Sequence, residues 1–147
     1  MRKTYRVLAY ALAIEVVVQA MAIAYGIAGL GKWVDDGHVF NKQVLKADSP
    51  DFPGAGGFAI HGINGQMLIP LLTLALLIVS FFAKVPGGTR RAAILVGLVI
   101  VQVVLGVTSH SAPALIPLHA LNAFGILAMA LLAGYRTPKE APAVAAV

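Results

Sequence analysis

The segment His61-Gly-Ile-Asn-Gly65 recurs later in the chain as His119-Ala-Leu-Asn-Ala123. Both copies read His, a small residue, a branched aliphatic residue, Asn, and then Gly or Ala, and both lie in strongly apolar sequence. An ionisable side chain inside an apolar membrane span is energetically costly, so a histidine in such a span indicates a functional site. Two histidines in matching local sequence predict that both serve one object.

The composition is that of an integral membrane protein. The 147 residues are 59% apolar and 12% charged, with a mean hydropathy of +0.86, and the length suits a single domain. The chain has no cysteine, which excludes disulfides, thiolate metal sites and cysteine nucleophiles. We expect no nucleic-acid partner despite the net charge of +5, because the basic residues cluster at one end of each apolar segment.

Four apolar segments predict four membrane-spanning helices. Pro70 predicts a kink in the second of them, and Pro117 suits the first turn of the fourth. The tail is rich in Pro and Ala, and we expect it to be disordered. The predicted spans are 5–30, 58–82, 92–109 and 115–135, with an outer loop at 32–57 and the tail at 136–147.

The distribution of Lys and Arg predicts the orientation. Eight of these residues lie on one predicted side of the membrane and three on the other, which places both termini in the cytoplasm of a bacterial inner membrane. Short connections then predict an all-α, up-down-up-down four-helix bundle. The two sets are Arg2, Lys3, Arg6, Lys84, Arg90, Arg91, Arg136 and Lys139 against Lys32, Lys42 and Lys46.

The similarity between the two halves extends beyond the histidine segments. Val17-Val-Gln19 in the first span corresponds to Ile100-Val-Gln102 in the third. We therefore predict two related helical hairpins about a pseudo-two-fold axis along the membrane normal.

The predicted bundle brings the two histidines together. The second and fourth spans run in the same direction, are diagonal neighbours, and carry His61 and His119 about one turn from the outer surface. A diagonal on the order of 11–14 Å between helix axes lets the two imidazoles share one metal, which fits six-coordinate heme iron. One turn deeper, Gly65 and Ala123 leave room for a porphyrin, although small residues also permit close helix packing alone.

These residues also resemble a known family. Gln102-Val-Val-Leu-Gly106 through His119-Ala-Leu-Asn122 is similar to one four-helix half of heme A synthase. The chain also resembles small four-span bacterial membrane proteins of the cytochrome b type, with the pattern Phe-x-x-His-x-x-x-Gly followed by Leu-His-x-x-Asn. The resemblance implies a heme b with His61 and His119 as axial ligands.

Two departures limit what this resemblance implies. The catalytic half of the synthase has a Glu one turn before the histidine of its second helix, and this chain has Phe58 there. The Arg that commonly follows that histidine is Gly62 here. The resemblance therefore extends to heme binding and not to the oxidising chemistry of the synthase.

Other polar residues leave alternatives open. Glu15 in the first span is either a proton relay or quinone contact, or a protonated carboxyl bonded to Gln19 or Gln102. Asn64 and Asn122 either form interhelical hydrogen bonds or orient the histidine rings. His38 and His110 are either solvated loop residues or substitute ligands.

The outer loop is a candidate lid over the cofactor. Its apolar residues could cover the site, and its lysines could meet the heme propionates, although Trp33 also suits a membrane interface. The apolar residues are Trp33, Val34, Phe40, Val44 and Leu45, and the lysines are Lys32, Lys42 and Lys46.

Two functions follow. The first is a membrane heme b protein for electron transfer or heme handling near the outer face, with a quinone or a periplasmic protein as redox partner and homo-oligomerisation left open. The alternative is a non-redox membrane anchor or assembly subunit that binds Zn or Cu through its outer-face histidines. A transporter fits less well, because no pair of broken helices is evident.

Overall fold

The computed structural model describes residues 1–47 and 51–138, and within these residues the protein is helical with no strand. A π-helical turn, Asn64–Leu68, joins α3 to α4, and a 3-10 turn, Pro113–Leu115, precedes α6. The α-helices are α1 (Arg2–Asp35), α2 (Lys42–Lys46), α3 (Ala55–Ile63), α4 (Ile69–Ala83), α5 (Gly88–Thr108) and α6 (Ile116–Tyr135).

Four helical segments are long and apolar enough to cross a membrane. They are α1, the combined segment Ala55–Ala83, α5, and the segment Pro113–Tyr135. Each has a mean hydropathy of 1.9 to 2.2 over its most apolar window. The protein is therefore a multi-pass membrane protein in a lipid bilayer.

The first helix is longer than its sequence predicts. It continues to Asp35, past the predicted end at residue 30, because Gly26 and Gly29 are buried where α1 packs against the segment that begins α3. The predicted outer loop is correspondingly shorter and contains α2, whose first turn is capped by the Asn41 side chain. The tail is predicted to be disordered. Its residues from 139 onward lie outside the described part of the chain.

The irregularity in the second span lies just before Pro70. The turn Asn64–Leu68 is π-helical, and the Ile69 N–H bonds to the Asn64 carbonyl oxygen. A proline has no N–H to donate and clashes with the carbonyl four residues earlier. The wider turn, which begins three residues after the first histidine, therefore accommodates Pro70 at the start of α4.

The helices pack as a closed ring. α1 packs against α3, α4 and α6, and α5 packs against α4 and α6. In this ring the α3–α4 span is diagonal to α6, and α1 is diagonal to α5.

The apolar core fills one half of the bundle, which we call the core half (residues 5–16, 69–99 and 126–134). At its end, the buried Tyr5 hydroxyl donates to the Gly88 carbonyl oxygen at 3.0 Å, so the diagonal helices α1 and α5 meet there. The buried residues of this half include Tyr5, Ala9, Leu12, Ala13, Val16, Leu76, Leu95, Val99, Ile126 and Ala130.

The other half, which we call the histidine half (residues 17–29, 55–68 and 100–125), is packed differently. α1 and α3 are in close contact there, yet no residue from 100 to 125 is buried. From 55 to 68, only Gly57 is buried. The bundle is therefore tight around Tyr5 and loose around the histidines.

Candidate functional site

The two histidines face each other across the diagonal of the ring. His61 projects from α3 and His119 from α6, both half-buried, with ring centroids 6.1 Å apart and ring planes at 60°. Two metal–nitrogen bonds to one ion account for about 4 Å of such a distance. The remainder corresponds to the distance from each bonded nitrogen to the centre of its ring, so this separation fits two imidazoles that share one metal.

Each histidine uses one ring nitrogen to contact the backbone of a neighbouring helix. His61 Nδ1 lies 3.2 Å from the Gln19 carbonyl oxygen, and His119 Nδ1 lies 3.1 Å from the Gln102 carbonyl oxygen. A carbonyl oxygen only accepts, so each Nδ1 carries the proton and each Nε2 presents a lone pair. Histidines that bind metals commonly donate their other N–H to a carbonyl in this way.

The asparagines of the two motifs bond to equivalent positions. Asn64 donates to the Glu15 carboxyl oxygen Oε1 at 2.7 Å, and Asn122 donates to the Leu98 carbonyl oxygen at 2.9 Å. Glu15 lies one turn before Gln19, and Leu98 lies one turn before Gln102. The asparagine of each hairpin thus bonds to the same repeat position on the neighbouring helix.

The glutamines behave differently in the two halves. The Gln102 amide nitrogen donates to His119 Nε2 at 3.0 Å, and the Gln102 amide oxygen accepts from Asn122 at 2.7 Å. The Gln19 side chain is buried, and neither of its amide atoms has a hydrogen-bond partner among the described residues. His119 is therefore held at both ring nitrogens, and His61 at one.

The structure decides between the alternatives that the sequence left open for Glu15 and for the two asparagines. Glu15 bonds to Asn64 and not to Gln19 or Gln102. Both asparagines form interhelical hydrogen bonds, one of the two expected roles, and in the described residues neither bonds to a histidine ring, although Asn122 acts on His119 through Gln102. The sequence identified Gln102 as a repeat position but missed its contact with the imidazole, because helical periodicity gives the face of a side chain and not its partner.

The two small residues one turn beyond the histidines have separate surroundings. An added Cβ at Gly65 would lie 3.5 Å from the Gln19 amide oxygen, so this glycine borders the unpartnered amide. Ala123 packs against the apolar core. An added Cβ at Gly106 would lie 3.1 Å from His119 Cε1, so a third small residue, which the sequence analysis did not single out as a site residue, makes room for that ring.

Four rings in and beside the predicted outer loop form an aromatic cluster that ends at Phe58, one turn before His61. Trp33 and His38 stack at 4.7 Å, and Phe52 lies 5.9 Å from Trp33 and 6.0 Å from Phe58. The cluster contains one of the predicted lid residues, Trp33. Val34 and Phe40 are exposed.

Among the described side chains, His110, His38 and Lys32 have partners other than the histidine pair. The Nδ1 atom of the exposed His110, in the turn after α5, is 3.3 Å from the Val107 carbonyl oxygen, and the His38 ring stacks on Trp33. Lys32 forms an exposed ion pair with Asp36. The predicted contacts of Leu45 and Lys46 fall on side chains outside the described part of the structure.

The comparison with known proteins covers less than half of the chain. Residues 43–109 match a family of unknown function, DUF6220. The matched region runs from α2 to the end of α5, and so includes His61 and Gln102 but not His119. No curated protein and no solved structure was found that matches the chain. The resemblance to heme A synthase stays a prediction from the sequence.

Proposed function

We propose that this protein is a membrane heme b protein in which His61 and His119 are the axial ligands of the iron. The observation that carries the proposal is the position of the two rings, 6.1 Å apart on diagonal helices. The bundle interior is a usual location for such a cofactor in helical proteins.

The hydrogen bonds of the site support iron ligation. Both Nδ1 atoms are directed to backbone carbonyls, so Nε2 is the nitrogen of each ring that would bind iron, and that of His119 is released when its bond to Gln102 breaks. Within residues 1–47 and 51–138, no group of three or more His, Cys, Asp or Glu side chains lies close enough to hold a metal ion. A pair suffices for heme iron, because the porphyrin supplies the other four ligands.

The packing of the histidine half also favours a large cofactor. No residue from 100 to 125 is buried, so the helices around the histidines are less tightly enclosed than those of the core half. A bound heme supplies one-electron redox chemistry, and the protein supplies position and surroundings. Two histidine ligands leave the iron no open position, which favours electron transfer or heme handling over reaction of a substrate at the metal.

The proposal includes the arrangement of the protein in the membrane. The equal register of the two hairpins supports a pseudo-two-fold repeat, and the ring of helices supports an up-down-up-down bundle. The excess of Lys and Arg on one side supports cytoplasmic termini in a bacterial inner membrane, with the heme near the outer face. A quinone or a periplasmic protein is then the redox partner, and a homo-oligomer is compatible with the exposed helix faces.

The alternative, a zinc or copper site in a non-redox membrane subunit, has less support. Closed zinc sites use four protein ligands, and the site offers two imidazoles with no carboxylate bonded to either ring in the described residues.

The absorption spectrum of the purified protein tests the proposal. We expect an intense Soret band with low-spin bands on reduction, and loss of the low-spin spectrum in His61→Ala and in His119→Ala. The matched control is His110→Ala, an exposed histidine away from the pair, which should keep the full spectrum. A protein that stays colourless when expressed with excess heme, and that binds zinc in a 1:1 ratio through the same histidines, would overturn it.

A further inference from the structure

The two halves of the site differ in the hydrogen bonding of the histidine Nε2 atoms. His119 Nε2 accepts a hydrogen bond from the Gln102 amide at 3.0 Å. His61 Nε2 has no hydrogen-bond partner among the described residues. The His61 ring is held only through its Nδ1 atom. The lone pair that would bind iron is therefore occupied on one histidine and available on the other.

The Gln102 amide is itself fixed in place. Its oxygen accepts from Asn122 at 2.7 Å, and Asn122 also bonds to the Leu98 carbonyl oxygen on the same helix as Gln102. Asn122, Gln102 and His119 thus form a continuous chain of donors and acceptors, and members of such a chain strengthen one another. Iron can reach His119 Nε2 only after the Gln102–His119 bond breaks.

The corresponding amide in the first half does not restrain its histidine. Gln19 occupies the repeat position of Gln102, yet its amide is buried without a partner, beside Gly65. Asn64, which corresponds to Asn122, donates to Glu15, and among the described residues no hydrogen bond joins it to the Gln19 amide. Within the described residues, the first half thus lacks the hydrogen bond that fixes the glutamine in the second.

We infer that heme loads in two steps, with His61 as the first axial ligand and His119 as the second, and that Gln102 sets this order by holding His119 Nε2 in the heme-free protein. Gln102 is a positioning residue that acts through His119. The same bond favours release of the second ligand, which suits a protein that passes heme on. This inference rests on the proposed function.

The order of ligation is tested by adding hemin to heme-free, full-length protein in detergent and following the Soret region by stopped flow. We expect a five-coordinate, high-spin intermediate that converts to the six-coordinate, low-spin form. His119→Ala should keep high-spin binding, whereas His61→Ala should bind hemin about tenfold more weakly than His119→Ala.

The role of Gln102 is tested on the second step. Gln102→Leu should accelerate the conversion from high spin to low spin about tenfold, since one hydrogen bond no longer has to break. Asn122→Leu, which frees the amide and keeps Gln102, should act in the same direction. The matched control is Gln19→Leu, the repeat-equivalent change, which should leave the conversion rate unchanged.

The outcomes separate the inference from the proposed function. If the unmodified protein takes up no hemin, the proposed function fails. If it forms the low-spin species but His61→Ala and His119→Ala bind hemin equally, or if Gln102→Leu and Asn122→Leu leave the second step unchanged, heme ligation stands and the loading order is overturned.

Discussion

At the scale of single residues, the two motifs perform one structural task with different chemistry. Asn122 anchors α6 to α5 through a backbone carbonyl, whereas Asn64 anchors its turn to α1 through the carboxyl of Glu15. The position that corresponds to Glu15 in the other half is occupied by Leu98, whose side chain accepts no hydrogen bond. This type of helix contact thus does not need a carboxyl group. In the first half, however, each of Asn64 and Glu15 is the hydrogen-bond partner of the other.

Replacement of one partner should cost more than replacement of both. We expect Asn64→Leu to lower the free energy of unfolding by about 1–3 kcal/mol, because it leaves the Glu15 carboxyl without its partner in an apolar environment. The double variant with Glu15→Leu should recover most of the loss, since exchange of both polar partners for apolar groups is nearly neutral.

Denaturation in mixed detergent micelles measures these differences. The control is Gln66→Leu, an exposed polar residue of the same turn, which should change little. A double variant as unstable as Asn64→Leu alone would show that the pair does not account for the loss.

At the scale of helices, the contact between α1 and α3 determines where His61 lies. Small residues let the two backbones approach, as is common between membrane helices. Gly57 faces the Ala22 carbonyl oxygen of α1 with no space for a side chain, and Gly26 faces the ring of Phe58. This close approach brings the His61 ring within 3.2 Å of the Gln19 carbonyl oxygen.

A larger residue at Gly57 should therefore affect the site from a distance. We expect Gly57→Val to lower the free energy of unfolding by about 1–3 kcal/mol through overpacking and to weaken low-spin heme binding, because α1 and α3 must separate. The neighbouring Gly56 is the matched control, since an added Cβ there meets nothing within 4 Å. Equal stability and equal heme spectra in Gly57→Val and Gly56→Val would contradict this account.

At the scale of the whole molecule, the two halves of the bundle differ in how they are packed. The core half is closed by buried apolar side chains and by the Tyr5–Gly88 hydrogen bond between diagonal helices. In the histidine half, the two imidazole rings face each other across the other diagonal. The buried apolar core thus lies in one half, and the hydrogen bonds of the two histidine motifs lie in the other.

The proposed orientation is open to a direct test, because the chain has no cysteine of its own. A single cysteine at Asp35→Cys, at the end of α1, should react with a membrane-impermeant maleimide added to whole cells or spheroplasts. A single cysteine at Arg90→Cys, in the first turn of α5, should react only after the membrane is permeabilised. The reverse pattern would invert the orientation, and equal labelling of both would contradict the up-down arrangement.

The candidate ligands could be chosen from the sequence because polar residues in apolar spans are few and repeat at fixed spacing. The ligands His61 and His119 and the repeat positions Gln19 and Gln102 are recognisable in this way, and the structure brings all four to one region of the bundle. Their individual partners could not be predicted, because side-chain rotation and the depth of one helix relative to the next depend on packing. The pairing of Glu15 with Asn64 is the clearest example.

The sequence by itself determined the helical membrane class, since each of four segments holds enough consecutive apolar residues to cross a bilayer. It also determined the two motifs and the face of each helix on which they lie. Only the tertiary structure decided that α1 runs on to Asp35 and that a π-helical turn follows His61. It alone decided that Gln102 holds His119 while Gln19 leaves His61 free. The physical reason is that hydropathy is a sum over neighbouring residues along the chain, whereas a hydrogen bond between helices depends on contacts that no single helix contains.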